Sequence, residues 1–303
     1  MKYPIEVSNL KKSYGKFEAL KGISFKVRKG EIFGLLGPNG AGKTTTINIL
    51  ADLLTPTSGR VRILGKPIKE VKERMNIATA YSWMTGVIKV RQNLKVFTKL
   101  YNVPNPEQRI DYLMELLGIT ELADKKAYSL SSGETTRLNI AKGLLNKPEV
   151  LLLDECTVGL DPIIARKTRK VIKNLQKKEK TTMIFTTHLM QEAEELCDRI
   201  AFMSHGRILK IGTAKSFKKM IGRQIIRIDF MPTSRSIEKF LKKKGFDVLY
   251  VKGNMAAIGV KHAAKKLHEV IHPILKAGFK IKDLHIRKPT LEDVFVRIAG
   301  EKL

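Results

Sequence analysis

The stretch Gly37-Pro38-Asn39-Gly40-Ala41-Gly42-Lys43-Thr44-Thr45 decides the reading of this chain. It fits G-x-x-x-x-G-K-S/T, the pattern of a phosphate-binding loop between a strand and a helix. The context agrees. Residues 31–37, Glu-Ile-Phe-Gly-Leu-Leu-Gly, form an apolar strand running into a glycine turn, and residues 43–54 have helical spacing. Glycines let the backbone curl until successive N–H groups face a phosphate, and the helix N-terminus adds partial positive charge. Lys43 brings a point charge to the β- and γ-phosphates, and Thr44 offers a hydroxyl to Mg²⁺.

The partner of this loop is Leu151-Leu152-Leu153-Asp154-Glu155. An apolar strand ends there in two carboxylates, at the strand end where α/β sheets place ligands. Alone, such a pair is a turn or a helix cap. After a phosphate loop, Asp154 is expected to hold Mg²⁺, and Glu155 to orient or deprotonate the attacking water. Residues 182–186 are a further short buried strand. Residues 132–145 and 161–176 read as helices, the second with Asp161 at its N-cap and Pro162 at its first position. Residues 92–125 read as mainly helical, broken at Pro104-Asn105-Pro106. The expectation is an α/β domain over 1–221, with a helical insertion at about 84–145.

A second pattern starts at 222. Residues 224–230 alternate as a strand and 234–244 are helical. Residues 247–251 and 255–260 are strands joined around Gly253-Asn254, 261–277 are helical, 279–287 extended and 291–299 helical. The order β-α-β-β-α-β plus a tail helix predicts a small ferredoxin-like α+β domain over 222–303.

Composition bounds the rest. A chain of 303 residues, 43% hydrophobic and 28% charged, is globular rather than disordered. Mean hydropathy is −0.15, and no apolar run approaches the roughly 18 residues that span a bilayer. The first residues lack a secretory apolar stretch. Two cysteines, Cys156 and Cys197, make no disulfide framework and are expected to be reduced thiols in a cytosolic setting. The net charge of +28, from 57 basic and 29 acidic residues, points to a polyanionic partner or to a solvated lysine-rich surface.

The stretch Leu130-Ser131-Ser132-Gly133-Glu134 resembles the signature L-S-G-G-Q of the ATP-binding subunits of ABC transporters. It precedes Asp154-Glu155 by a short helix and turn. Gly159-Leu160-Asp161 is similar to the loop that follows the acidic pair in that family. His188, after the strand at 182–186, matches its switch histidine, and Tyr14 falls where it places an adenine-stacking aromatic. The resemblance covers 1–220 in five motifs. Individually they are weak: Tyr14 alone is a packing aromatic, and His188 alone a polar residue near a helix start.

The resemblance implies a P-loop NTPase fold and a mechanism. Two such subunits, identical or paired with a second ATPase chain, sandwich two ATP molecules head to tail. Tyr14 stacks the base, while Gly37, Pro38, Asn39, Gly40, Ala41, Gly42, Lys43, Thr44 and Thr45 hold phosphates. Ser131 and Gly133 reach the γ-phosphate of the other subunit's ATP. His188 bridges that phosphate and the opposite Asp161. Closure on ATP and opening after hydrolysis drive a separate transmembrane permease, from the cytoplasmic face of the cell membrane.

Three features depart from the family. Its loop glutamine, which touches Mg²⁺ and the transmembrane subunit, is matched by the shorter Ser82. Ser132 and Glu134 replace a glycine and the glutamine of the signature, and Glu134 brings a negative charge. Cys156 stands where proline is common and reads as a small buried hydrophobe. Lys288-Pro289-Thr290-Leu291-Glu292-Asp293-Val294-Phe295 is similar to the C-terminal extension of ATPases serving ABC-2 type exporters. An ordinary capped helix explains the same residues. Two other readings stay open. One is a soluble ABC-type ATPase acting on nucleic acid or ribosomes, disfavoured by the single P-loop and the lack of coiled coil or zinc modules. The other is a module that binds ATP and hydrolyses it weakly.

Overall fold

The structure is a computed structural model and describes residues 2–79, 84–157, 159–221, 224–233 and 236–300. The chain separates into two compact units, Met1–Ile211 and Gly212–Leu303. The division falls ahead of the boundary expected at 221/222.

The first unit holds β1 (Ile5–Tyr14), β2 (Phe17–Val27), β3 (Ile32–Leu36), α1 (Lys43–Leu50), β4 (Ser58–Ile63), β5 (Met75–Thr79), α2 (Val90–Leu100), α3 (Pro106–Leu117), α4 (Ser132–Leu144), β6 (Val150–Asp154), α5 (Pro162–Glu179), β7 (Thr182–Thr187), α6 (Met190–Leu196), β8 (Arg199–Ser204) and β9 (Arg207–Gly212). Six strands form the central sheet in the order β5-β6-β7-β3-β8-β9. The pairs β5–β6, β6–β7, β7–β3 and β3–β8 are parallel. Strands β3 and β7 are buried throughout, as strands with both faces covered must be. The β8–β9 connection is the turn His205-Gly206, with φ 48° and 75°, the left-handed pair that a tight hairpin needs.

A second, antiparallel sheet, β2-β1-β4, has no counterpart in the expected α/β alternation. Its inner face supplies Ile5, Val7, Leu10 and Phe25 to the core shared with Phe33, Leu35, Ile47 and Leu152. The Phe25 and Phe33 rings stack with centroids 5.3 Å apart. Helices α2, α3 and α4 pack on one another as the helical insertion. Arg109 of α3, nearly fully buried, ties it down. Its guanidinium donates to the carbonyls of Leu144 and Leu145 and to the Glu179 carboxylate.

The parallel register carries the functional consequence. Leu36 lies beside Thr187, and Thr186 beside Asp154. The C-terminal ends of β3, β7 and β6 are therefore neighbours, and the loops that leave them meet at one edge of the sheet.

The second unit contains α7 (Ala214–Ile221), β10 (Gln224–Phe230), α8 (Ile237–Lys243), β11 (Val248–Lys252), β12 (Met255–Val260), α9 (Ala263–Lys276), β13 (Ile281–Arg287) and α10 (Leu291–Ala299). Its sheet runs β11-β12-β10-β13, and the pairs β11–β12, β12–β10 and β10–β13 are antiparallel. Counted within the unit this is 2-3-1-4, the ferredoxin-like order. Ile226, Ile228 and Phe230 of β10 pack against Leu241 of α8 and Val270 and Ile274 of α9. Helix α10 packs on α7. Its first turn is locked by Asp293, which accepts both Arg287 Nη1 and Nη2 at 2.6 Å and the Thr290 N–H at 2.8 Å. Burial alone would raise the Asp293 carboxyl; these donors outweigh it and hold it below the ordinary carboxylate range. The Thr290 capping box is thus present, extended by a buried ion pair.

Candidate functional site

The loop after β3 wraps the start of α1. Gly42 caps that helix with φ 101°, and Gly40 sits at φ 78°. A Cβ at Gly37 would lie 2.1 Å from the Met203 carbonyl oxygen, and one at Gly42 would lie 2.7 Å from Leu20 Cδ2. Glycine is therefore required at 37 by backbone approach and at 42 by both conformation and space. Gly37 N–H donates to Thr187 O at 3.4 Å, which ties this loop to the end of β7.

Lys43 is buried, and its ammonium donates to the carbonyls of Gly37 at 2.9 Å and Pro38 at 3.1 Å. It also lies 3.2 Å from Glu155 Oε1. Glu155 has φ 47°, an uncommon conformation for a residue with a side chain. Its N–H is held by Thr186 Oγ1 at 3.0 Å and Thr186 O at 3.3 Å. These bonds turn the two consecutive carboxylates in different directions. His188 Nδ1 lies 3.5 Å from the same Glu155 oxygen. Lys43 at the start of α1, and Glu155 and His188 from the loops after β6 and β7, thus converge on one point.

Asp154 faces the other way. Thr186 Oγ1 donates to its Oδ1 at 2.5 Å, and Thr44 is also hydrogen-bonded to it. Burial pushes the Asp154 carboxyl up, the adjacent Glu155 charge adds to that, and the two threonine hydroxyls and Lys43 oppose it. A hydroxyl and a carboxylate side by side are hard oxygen donors, the set that suits Mg²⁺.

Beside this cluster is a cavity of about 340 Å³. Its walls include Gly40, Lys43, Thr44, Thr45 and Glu155, together with the buried Ala19 and the exposed Tyr14 and Phe17. Tyr14 and Phe17 face each other across the β1–β2 hairpin and are 50% and 65% exposed. Lys12 Nζ stands 5.1 Å from the Tyr14 ring centroid. Both rings line the cavity; the sequence reading singled out Tyr14 and not Phe17.

Ser131, Gly133 and Asp161 are not among the described walls of this cavity. They open two other helices. Ser131 caps α4: Glu134 N–H donates to its Oγ at 3.3 Å, and its own N–H donates to Glu134 Oε2 at 2.8 Å. The Ser131 N–H, aided by the hydroxyl, holds the Glu134 carboxyl below its usual range. Glu134 thus completes a capping box on its own helix, a place that glutamine fills equally well, and its charge is turned back onto the Ser131 N–H. Gly133 is buried, and a Cβ there would lie 3.1 Å from Ile164 Cγ2 of α5. Asp161 caps α5 by accepting Ile163 N–H at 2.8 Å. Cys156 is fully buried, and burial pushes its thiol well up, which fits an inert hydrophobe. Ser82 lies outside the described residues.

Residues 20–158 match the family described as ABC transporter, and residues 212–299 match "ATP-binding protein DrrA1-3-like, C-terminal domain". The linearmycin resistance ATP-binding protein LnrL of Bacillus subtilis (strain 168) is 32% identical, with 99% of each chain covered. The chain belongs to the ABC transporter ATP-binding family. The Nod factor export ATP-binding protein I of Paraburkholderia xenovorans (strain LB400) is 34% identical over 99% of this chain and 98% of its own. The daunorubicin resistance ATP-binding protein DrrA3 of Streptomyces coeruleorubidus is 31% identical over 98% and 96%. Among solved structures, cbiO1 from Clostridium perfringens, part of the ABC transporter complex cbiONQ, superposes with a TM-score of 0.67 at 30% identity. It covers 73% of this chain and 92% of its own. This ABC ATPase is therefore an ATP-binding subunit of the ABC-2 type exporter subgroup, an ATPase whose hydrolysis is coupled to transport. Such a subunit implies a transmembrane partner. Among the described residues no helix is long and apolar enough to cross a membrane.

Proposed function

We propose that this ABC ATPase energises a membrane exporter by ATP-driven closure of a head-to-tail dimer. The dimer forms with a second copy or a related ATPase chain and docks on the cytoplasmic face of a separate permease. One observation carries the reading. Lys43, Glu155 and His188 converge beside the cavity, whereas the signature residues Ser131 and Gly133 open a different helix outside it. Helix α4 opens at Ser132, and Ser131 and Ser132 at its start are exposed, so this end can meet a phosphate presented from outside the chain. A second subunit presenting that end to the cavity would complete the phosphate cage only when ATP bridges the two.

Within the cage each residue has one task. The loop N–H groups and Lys43 bind phosphate oxygens. Glu155, held by Thr186, accepts the proton of the attacking water. His188 holds the γ-phosphate side of that water. Thr44 and Asp154 would hold Mg²⁺, which when bound supplies charge neutralisation at the phosphates. Asp161 adds its loop at the subunit junction. The export cargo belongs to the permease, and the nucleic-acid reading gains no support from this site.

Turnover per chain should fall as the ATPase is diluted, because each site borrows Ser131 and Gly133 from another chain. ATPase assays across a dilution series check this. Full specific activity in a demonstrably monomeric protein would overturn the sandwich.

The exposed aromatics supply a second test. Tyr14→Ala should weaken ATP binding about tenfold, the scale of one lost base–aromatic stack. Binding of inorganic tripolyphosphate should stay unchanged, since Tyr14 is remote from the loop N–H groups in role. Calorimetry with both ligands checks it. Equal losses for both would remove Tyr14 from base recognition and leave that place to Phe17.

A further inference from the structure

Beneath the site lies a buried charged cluster that the proposed mechanism does not use. Arg169 of α5 is 8% exposed and Glu192 of α6 is 4% exposed. Arg169 Nη1 donates to Glu192 Oε1 at 2.9 Å, and its Nε donates to Glu195 Oε2 at 3.0 Å. The other oxygen of Glu192 accepts Thr187 Oγ1 at 2.7 Å. Thr187 Oγ1 in turn accepts the Leu189 N–H at 3.0 Å. Thr187 is wholly buried, and its carbonyl accepts the Gly37 N–H of the phosphate loop.

His188 stands between the two residues pinned by this chain of bonds. Its side chain is about a third exposed, and the Glu155 carboxylate is 3.5 Å away. So long a contact does little to fix the ring. The backbone on either side must do so. Thr187 is fixed through Glu192 and Leu189 through Thr187. Glu192 also lies close enough to Cys156, the neighbour of Glu155, for its charge to push that buried thiol up. A carboxylate this buried is costly unless fully paired, and Arg169 on one oxygen and Thr187 on the other pair it. Arg169 sits on the helix that Asp161 opens, so the same bonds join that helix to the loop bearing His188.

We propose that Arg169, Glu192 and Thr187 are positioning residues that set His188 against Glu155 for hydrolysis. This rests on the reading of His188 given above. The network acts on the placement of a group needed in the transition state. Its loss should therefore lower kcat and leave ground-state ATP binding alone.

The test uses the full chain and a reciprocal pair at one position. Thr187→Val keeps the volume and loses the hydroxyl; Thr187→Ser keeps the hydroxyl and loses the methyl. Thr187→Val should lower kcat about tenfold or more with KM for ATP within about twofold, as misplacement of a catalytic group does. Thr187→Ser should recover most of the turnover. Glu192→Gln, a near-isosteric lesion at a second position, should give the same loss in kcat alone. If the cluster only holds the fold, Thr187→Val loses thermal stability, because the Glu192 carboxylate loses a partner, while the kcat of the folded protein stays unchanged. Unchanged kcat in Thr187→Val or in a folded Glu192→Gln overturns the proposal. His188→Ala run alongside separates the two ideas. A fall in kcat there with none in Thr187→Val sinks only the positioning role; no fall in His188→Ala sinks the His188 reading and this proposal together.

Discussion

Lys43→Ala is expected to raise the Kd for ATP by more than about a hundredfold and to remove measurable hydrolysis, because a charge-assisted contact is worth roughly 1.5–3 kcal/mol and Lys43 makes several. The ammonium is buried and already oriented by the carbonyls of Gly37 and Pro38, so it enters the phosphate site at little cost in side-chain entropy. The substitution does more than delete a cation. It leaves Glu155, 3.2 Å away, without its ion-pair partner and facing the γ-phosphate. Like charges at such range repel strongly in a site partly shielded from water. Lys43→Arg should not rescue, since a larger planar head does not fit between the two carbonyls and Glu155. Fluorescent-nucleotide titration and a phosphate-release assay read both quantities. ATP affinity within a few-fold of the parent would show that the loop N–H groups suffice, and would demote Lys43 to a structural cation.

How much of this was legible in the sequence depends on how local each feature is. The phosphate loop, the acidic pair and the Asp161 cap are contiguous stretches whose conformation follows from their own residues, and all three stand where the sequence placed them. The antiparallel β2-β1-β4 sheet was not read, and β1 shows why. Its register shifts between Val7 and Leu10, between Leu10 and Lys11 and between Lys12 and Ser13, and Asn9 takes φ 47°. Bulges break the period of two on which strand reading rests. The sequence reading drew its boundary at 221/222 and read no helix at Ala214–Ile221. Helix α7 joins the second unit by packing on α10, far along the chain, which no local pattern shows. Phe17 has the same character. An aromatic is a core residue by default, and its 65% exposure beside Tyr14 is a fact of tertiary structure. Glu134 was legible and misweighted. Ser131-Ser132-Gly133-Glu134 is a capping-box pattern in plain sight, but comparison with a glutamine-bearing signature drew attention to its charge instead.

Glu155→Gln is expected to lower ATP turnover by roughly 10²–10⁴, the usual contribution of a positioned general base, while ATP binding survives and a stable ATP-bound dimer accumulates. Glutamine keeps the shape and can occupy the same place, because that place is set by the backbone: φ 47° and two hydrogen bonds from its N–H to Thr186. What it loses is the ability to take a proton from water. It also loses a negative charge beside Lys43, so the ammonium is released from its carboxylate partner and ATP should bind at least as well. With hydrolysis blocked, the closed state has no route back except loss of ATP, so population shifts toward the dimer. Size-exclusion chromatography with light scattering, with and without ATP and Mg²⁺, reads the trapped species, and phosphate release reads the rate. The parent chain should show the same dimer only transiently. Glu155→Gln turning over ATP at near the parent rate would move the base elsewhere, with His188 the nearest group able to serve. Loss of turnover with no ATP-dependent dimer would leave Glu155 as the base but break the link between hydrolysis and subunit opening on which the transport cycle depends.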